Sequence, residues 1–466
     1  MLFQFIQCRN NISINQYCIF EHQMKLSLQL TIAIFSVMSF CACKPSNPNY
    51  NVDAANPAYF SQSLNMLTDI IVHDIFSPPV ASRVYVYPCI AAYEALLPAH
   101  PNQKSFAGQL NGLSPVFKPV ESKGYCYPLA SIIAFQQVAK QLIFSEDKML
   151  AYEAQLFENL DTIGIPKDVK KKSEGYGKAV AQHILEWANT DNYSQTRSAS
   201  KFSVTGNKGK WQPTPPAYME SIEPSWNEIR PMVLTSAAQF TPPPPPPFSL
   251  NNKSLFYKQT LQVYEAVKNA KQEEEDIARF WDCNPYVMNQ TGHVMFATKK
   301  ITPGGHWMGI TNIACKTASA NLMKTVEAHA LVSIALFDAF ISCWDEKYRS
   351  QLIRPETVIN EHIDADWTPI LQTPPFPEYT SGHSVISTAA AITLTNLFGN
   401  SFAFVDDVEV KYGLPKRNFT SFKQASEEAA ISRLYGGIHY MPAITYGVEQ
   451  GKKVGQLVNE KIELRK

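Results

Sequence analysis

The chain has no surplus of charge of either sign, since 41 Lys and Arg are balanced by 41 Asp and Glu. Nucleic-acid binding draws on an excess of phosphate-neutralising cations, so that class of partner is excluded and any preference for anions must come from a local cluster. Cysteines are present but unorganised. The nine include no CxxC pair and no regular spacing, which argues against a disulfide framework and leaves Cys89, Cys126, Cys283, Cys315 and Cys343 as buried free thiols. Internal repeats are absent, strand-like alternation is scarce, and beyond residue 43 no apolar run reaches the roughly 18 residues that a membrane-spanning helix needs. With 466 residues the chain is long enough to bury one large core or two packed ones without covalent support.

What is present begins with an export signature. Met24-Lys25 precedes an apolar run from Leu26 to Phe40, then Cys41-Ala42-Cys43-Lys44-Pro45. The run is too short to span a bilayer, and the small residue before Cys43 matches bacterial lipoprotein processing. Cys43 is therefore the expected lipidation site and the only expected membrane attachment. It would leave an exported protein in the periplasm, at the outer membrane or at the cell surface. Residues 1–23 precede a natural start at Met24 and are expected to be an upstream extension, and the Pro/Asn-rich residues 44–57 a tether.

Apolar spacing of the helical kind, such as Leu64, Leu67, Ile70, Ile71 and Ile75, fills residues 58–200. Residues 201–253, with Gly206, Gly209, Pro213 and the run Pro242–Pro247, forbid regular helix and predict a long extended crossover. Helical periodicity returns over 254–462, with 255–281, 318–344, 380–398 and 422–436 the clearest segments. The predicted fold is all-α: two helical bundles joined by the Pro-rich crossover.

Three short segments of the second half carry chemistry. Lys347 and Arg354 stand seven apart, close to two helical turns, so both are expected on one side of a helix that Pro355 ends. Thr380-Ser381-Gly382-His383 opens a predicted helix, where free backbone N–H groups favour an anion and Gly382 lets it approach closely. Ser432-Arg433-Leu434-Tyr435-Gly436-Gly437-Ile438-His439 places Arg433 and His439 about 240° apart on an ideal helix, so they share a site only if the glycine pair breaks it. Singly, each segment reads as well as a solvated helix end or a packing histidine. Together they describe a cationic oxyanion pocket.

The order KYRSQLIRP, TSGH, SRLYGGIH resembles the signature shared by vanadium-dependent haloperoxidases and type-2 phosphatidic-acid phosphatases. GKWQPTPPAY, the WDCNP segment at 281–285, the PGGHW segment at 303–307 and Trp344 three residues before Lys347 look like the bacterial iodoperoxidase branch. The resemblance covers most of residues 55–460. It implies vanadate as cofactor, His439 as the imidazole bonded to vanadium, and Lys347, Arg354 and Arg433 as cations neutralising its oxygens. Ser381 and the Gly382 N–H would donate hydrogen bonds, and His383 would serve as acid and base. The implied reaction is oxidation of a halide, iodide favoured, by hydrogen peroxide to hypohalous acid. Trp344, Tyr286 and His306 are candidates for the halide pocket.

Two departures stand out. Ala443 replaces the acid that often follows the last histidine by four residues, which weakens a phosphohistidine reading more than a peroxidase one, unless Asp338 or Glu449 substitutes. Thr380 replaces the usual Pro. An exported phosphatase acting on a soluble substrate through His439, and a surface lipoprotein that only binds an oxyanion, are the competing readings.

Overall fold

The computed structural model describes Met24, residues 47–119, 123–291 and 293–466. The expected signal, its Cys43 and residues 44–46 lie outside the described residues. From Asn47 onward the expected tether is docked: the Asn47 N–H donates to Gly164 O at 3.0 Å, and a short helix at Tyr50–Ala54 buries Ala54.

Helices α1 (Pro57–His73), α2 (Pro78–Leu96), α3 (Tyr127–Lys140), α4 (Glu146–Asp161) and α5 (Lys167–Ala188) form the first bundle. Pro at the first position and a capping Asn56 or Ser77 start α1 and α2, because proline costs nothing where the N–H is unpaired anyway. Every residue of α2 is buried, including Arg83, whose charge is matched by Asp191 at 2.7 Å.

The second half supplies α6 (Leu255–Lys268), α7 (Gln272–Phe280), α8 (Pro303–Thr317), α9 (Leu322–Ser350), α10 (Pro355–His362), α11 (Gly382–Phe398), α12 (Phe422–Tyr435) and α13 (Met441–Lys461). Two small antiparallel hairpins, β1 (Val287–Thr291) with β2 (Val294–Thr298) and β3 (Phe404–Asp406) with β4 (Arg417–Phe419), are the strands among the described residues. The predicted helix at 255–281 is broken because Glu274 turns back to accept from the Lys271 N–H at 2.9 Å, a box that starts α7 afresh.

Helix α9 is the axis of the molecule. It packs on α2 of the first bundle and on α11 and α13 of the second, so one apolar cluster runs through both halves. By length and composition α9 would pass for a membrane span, yet its apolar stretch is wholly buried inside the protein. The crossover is strapped along it. Asp338 accepts from the N–H groups of Met232, Val233 and Leu234 at 2.6 to 3.0 Å, and Ile222 O accepts from the Trp344 indole at 3.4 Å. Extended backbone has no partners of its own, so a buried acceptor on α9 supplies them.

Candidate active site

Lys347 and Arg354 do meet, but not on one helix. The chain leaves α9 through Gln351 at φ +52°, and Arg354 caps the start of α10, so Pro355 begins a helix instead of ending one. Seven residues of helix would have put both side chains on α9; the left-handed turn redirects Arg354 to face the same loop from another side.

That loop, residues 376–380, is what both cations hold. The Lys347 ammonium donates to the carbonyls of Pro377, Glu378 and Thr380 at 3.0, 3.1 and 2.5 Å. All three of its donors are thereby spent on backbone, so Lys347 brings charge to the site but no free N–H. Burial pushes its pKa down to about 8. Arg354 donates from Nε to Phe376 O and from Nη1 to Ile438 O, each at 2.9 Å, while its Nη2 is buried without a protein acceptor.

At the other end of this loop Ser381 caps α11, with Ser384 Oγ donating to its hydroxyl at 2.9 Å. A Cβ placed on Gly382 would meet only the Trp344 ring, at 3.8 Å, so the space before this helix terminus is left open toward a cleft. Thr380, in the place of the usual Pro, turns its hydroxyl to Gln450 Oε1 at 2.7 Å, which keeps it satisfied in the core.

The glycine pair decides the third segment. Helix α12 ends at Tyr435, Gly437 adopts φ +77°, and a Cβ there would lie 2.7 Å from Val267. The break brings His439 round beside Arg354, with Nε2 3.3 Å from Nη1, and leaves Arg433 on α12 donating from Nη2 to Trp281 O at 2.9 Å. Burial lowers the Arg433 pKa to about 10, still far above neutrality.

The carboxylate partner of His439 comes from a residue that sequence reasoning missed. Glu378 Oε1 lies 2.8 Å from His439 Nδ1 and accepts from the Tyr440 N–H at 2.9 Å. Neither substitute expected for the acid missing at Ala443 plays this part. Asp338 is committed to the crossover, and Glu449 is exposed on α13. Glu378 carries no spacing signal, because it precedes the helix on a loop; only its position next to the TSGH segment hinted at it. Its carboxylate fixes the proton on Nδ1 and leaves Nε2 as a lone-pair donor. Burial and the neighbouring cations hold both His439 and His383 well below the ordinary histidine range, so both rings are neutral.

A cleft of about 40 Å³ has Gly382, His383, Arg433 and His439 in its wall, while Lys347, Arg354 and Ser381 are fully buried, Arg354 against His439. Trp344, Phe340, Phe376 and Tyr286 form its aromatic side. His306 does not line it. That ring is fully buried behind Trp281, stacked on it at 4.7 Å between centroids.

The donor set fits a tetrahedral oxyanion. Arg354 Nη2 and His383 Nε2 are buried polar atoms without protein partners, two guanidinium groups supply positive charge, and α11 presents its N-terminus. A small oxyanion would accept from Arg354 Nη2, and a hydroxyl group on it would donate to the neutral His383 Nε2.

Residues 327–465 match the family model described as the VCPO second helical-bundle domain. A crystal structure of a bacterial vanadium-dependent iodoperoxidase superposes with a TM-score of 0.84 at 52% identity, over 91% of this chain and 99% of that one. The chain belongs to the vanadium-dependent haloperoxidases. It is accordingly a peroxidase whose cofactor is vanadate, and its mostly helical architecture is that of the family. Holo- and apo-type structures of a bacterial vanadium-dependent chloroperoxidase share the haloperoxidase fold at 15% and 16% identity, with TM-scores of 0.63 and 0.62. Each aligns over 83% of this chain, covering 93% of the holo-type and 94% of the apo-type chain. No curated protein sequence matches the haloperoxidase.

Proposed function

We propose that this haloperoxidase is an exported, lipid-anchored enzyme that prefers iodide. Two things support iodide: the 52% identical relative is an iodoperoxidase, and the cleft pairs its oxyanion donors with an aromatic wall that favours a large, polarisable ion over water. The single observation that carries the activity is the neutral His439, its Nε2 presented among Arg354, Arg433 and His383 while Glu378 holds Nδ1.

Within that frame the roles of the residues follow from their bonds. His439 Nε2 would hold the metal, Arg354 Nη2, Arg433 and the Gly382 N–H its oxygens, and Lys347 would add charge from behind. Bound vanadate supplies a Lewis-acidic centre at which hydrogen peroxide becomes an oxidant for halide. His383, kept neutral by burial and by Arg433, has a free Nε2 that can take a proton from entering peroxide and return it later. None of these groups has to move far, because backbone carbonyls pin Lys347, Arg354 and Arg433 and the Glu378 carboxylate pins His439.

One observation favours a second reading. Glu378 restores the carboxylate that Ala443 removes, so His439 is oriented as a phosphohistidine nucleophile would need. Halide and phosphate chemistry are separated by assaying iodide, bromide and chloride oxidation with and without orthovanadate, beside p-nitrophenyl phosphate hydrolysis. The expected result is vanadate-dependent oxidation, fastest with iodide and lost in His439→Ala. Phosphate release that vanadate inhibits, without iodide oxidation, would assign the site to a phosphatase. Membrane partitioning of the expressed chain, abolished by Cys43→Ala, tests the anchor.

A further inference from the structure

Behind the cleft lies a second cluster that the peroxidase chemistry does not use. Cys283, His306 and Glu409 meet in the core, each no more than 3% exposed. Cys283 Sγ is 3.5 Å from His306 Nδ1 and 3.7 Å from Glu409 Oε1, and the last two atoms are 3.0 Å apart. On the far side of the ring, His306 Nε2 meets Asp406 Oδ2 at 2.8 Å.

We propose that Cys283, His306 and Glu409 bind one zinc-class divalent cation, with Asp406 orienting the imidazole from behind. Three observations carry this. Zinc bonds of about 2.3 Å to sulfur and about 2.0 Å to nitrogen and oxygen, at tetrahedral angles, separate ligand atoms by roughly 3.3 to 3.6 Å. The three measured separations lie within about 0.3 Å of that range. A sulfur, an imidazole nitrogen and a carboxylate oxygen form a donor set that zinc accepts, and a carboxylate on the second ring nitrogen is the usual brace for a metal-bound histidine. The charge also asks for a cation. Asp406 and Glu409 are both buried, and among the described residues neither is ion-paired with Lys or Arg, so a single imidazole faces two carboxylates. A divalent ion offsets that excess where a lone ring cannot.

With three protein ligands the fourth tetrahedral position would fall to a water, and the position of the site gives it a bracing purpose. Cys283 belongs to the segment whose Trp281 carbonyl accepts from Arg433, whereas His306 is on α8 and Glu409 follows β3. A cation there ties the three segments together beneath the cleft. It also converts Cys283, which lines that cleft, from a free thiol into a metal-bound thiolate.

Cobalt reports directly on such a site. The full mature chain, stripped with a chelator and titrated with Co2+, should take up one tight equivalent and develop a thiolate-to-cobalt charge-transfer band with tetrahedral d–d absorption. One equivalent of Zn2+ should displace it. The band should vanish in Cys283→Ser and persist in His439→Ala, which has lost only the vanadate ligand. Asp406→Asn should keep the band but weaken Zn2+ binding by about 10- to 100-fold. If Cys283→Ser does not fold, Glu409→Gln serves in its place, with altered d–d bands and weakened binding expected. Absence of a charge-transfer band in the wild-type chain, or a band unchanged in both variants, overturns the proposal.

Discussion

Replacing Glu378 with Gln should weaken vanadate binding without unfolding the protein. The substitution keeps size and shape, so the Tyr440 N–H retains an acceptor, but it removes the negative charge 2.8 Å from His439 Nδ1. An amide can also turn its N–H toward Nδ1, which would drive the ring proton to Nε2 and block the lone pair that coordinates. Carboxylates behind metal-bound histidines are typically worth 10- to 100-fold in affinity, or about 1.4 to 2.7 kcal/mol at 1.36 kcal/mol per tenfold. Calorimetric titration of the vanadate-free protein with orthovanadate measures this, with His439→Ala setting the floor. Peroxidase rates at saturating vanadate should recover more fully than rates at low vanadate. An affinity within twofold of wild type, in a variant with unchanged Tm, would show that Glu378 neither orients nor polarises His439.

Four further outcomes follow from the same structure. Burial raises the Glu378 pKa to about 7, so vanadate affinity should fall as pH drops through 7, and this acidic limb should be missing in Glu378→Gln. Lys347 has its pKa lowered to about 8, so the pocket loses a positive charge as pH rises above 8. Inhibition by sulfate, which has no proton to lose there, should weaken over the same interval. Gly437→Ala should cost about 2 to 4 kcal/mol and lower Tm by several degrees, because a left-handed φ and a Cβ 2.7 Å from Val267 act together. Asp338→Ala, which strands the N–H groups of Met232, Val233 and Leu234, should destabilise by several kcal/mol and open the crossover to proteolysis; an unchanged digestion pattern would mean that the strap is held elsewhere.

Much of the site was legible in the linear chain because its donors come in short runs. Ser381 and Gly382 at a helix start, and Arg433 with a glycine break before His439, are local patterns whose geometry follows from backbone rules. The helices were legible for the same reason, apart from α8, α10 and α13; α10 starts at Pro355, which the linear pattern reads as the end of a helix. α8 opens with two glycines and is buried on most sides, so it shows little periodicity. α13 carries Pro442 at its second position, which a linear reading takes as a break although proline is tolerated in a helix's first turn.

What sequence alone determined, then, is the helical class, the extended crossover and the short segments that the structure gathers at the cleft, all set by interactions spanning a few positions. Tertiary structure decided the rest. Lys347 spends its donors on a loop 30 or more residues away, Glu378 finds His439 across 61 positions, and His306 leaves the cleft for Cys283, Asp406 and Glu409. Such pairings depend on which helices pack together around α9. No spacing rule encodes them, because the free energy that selects them belongs to the shared core.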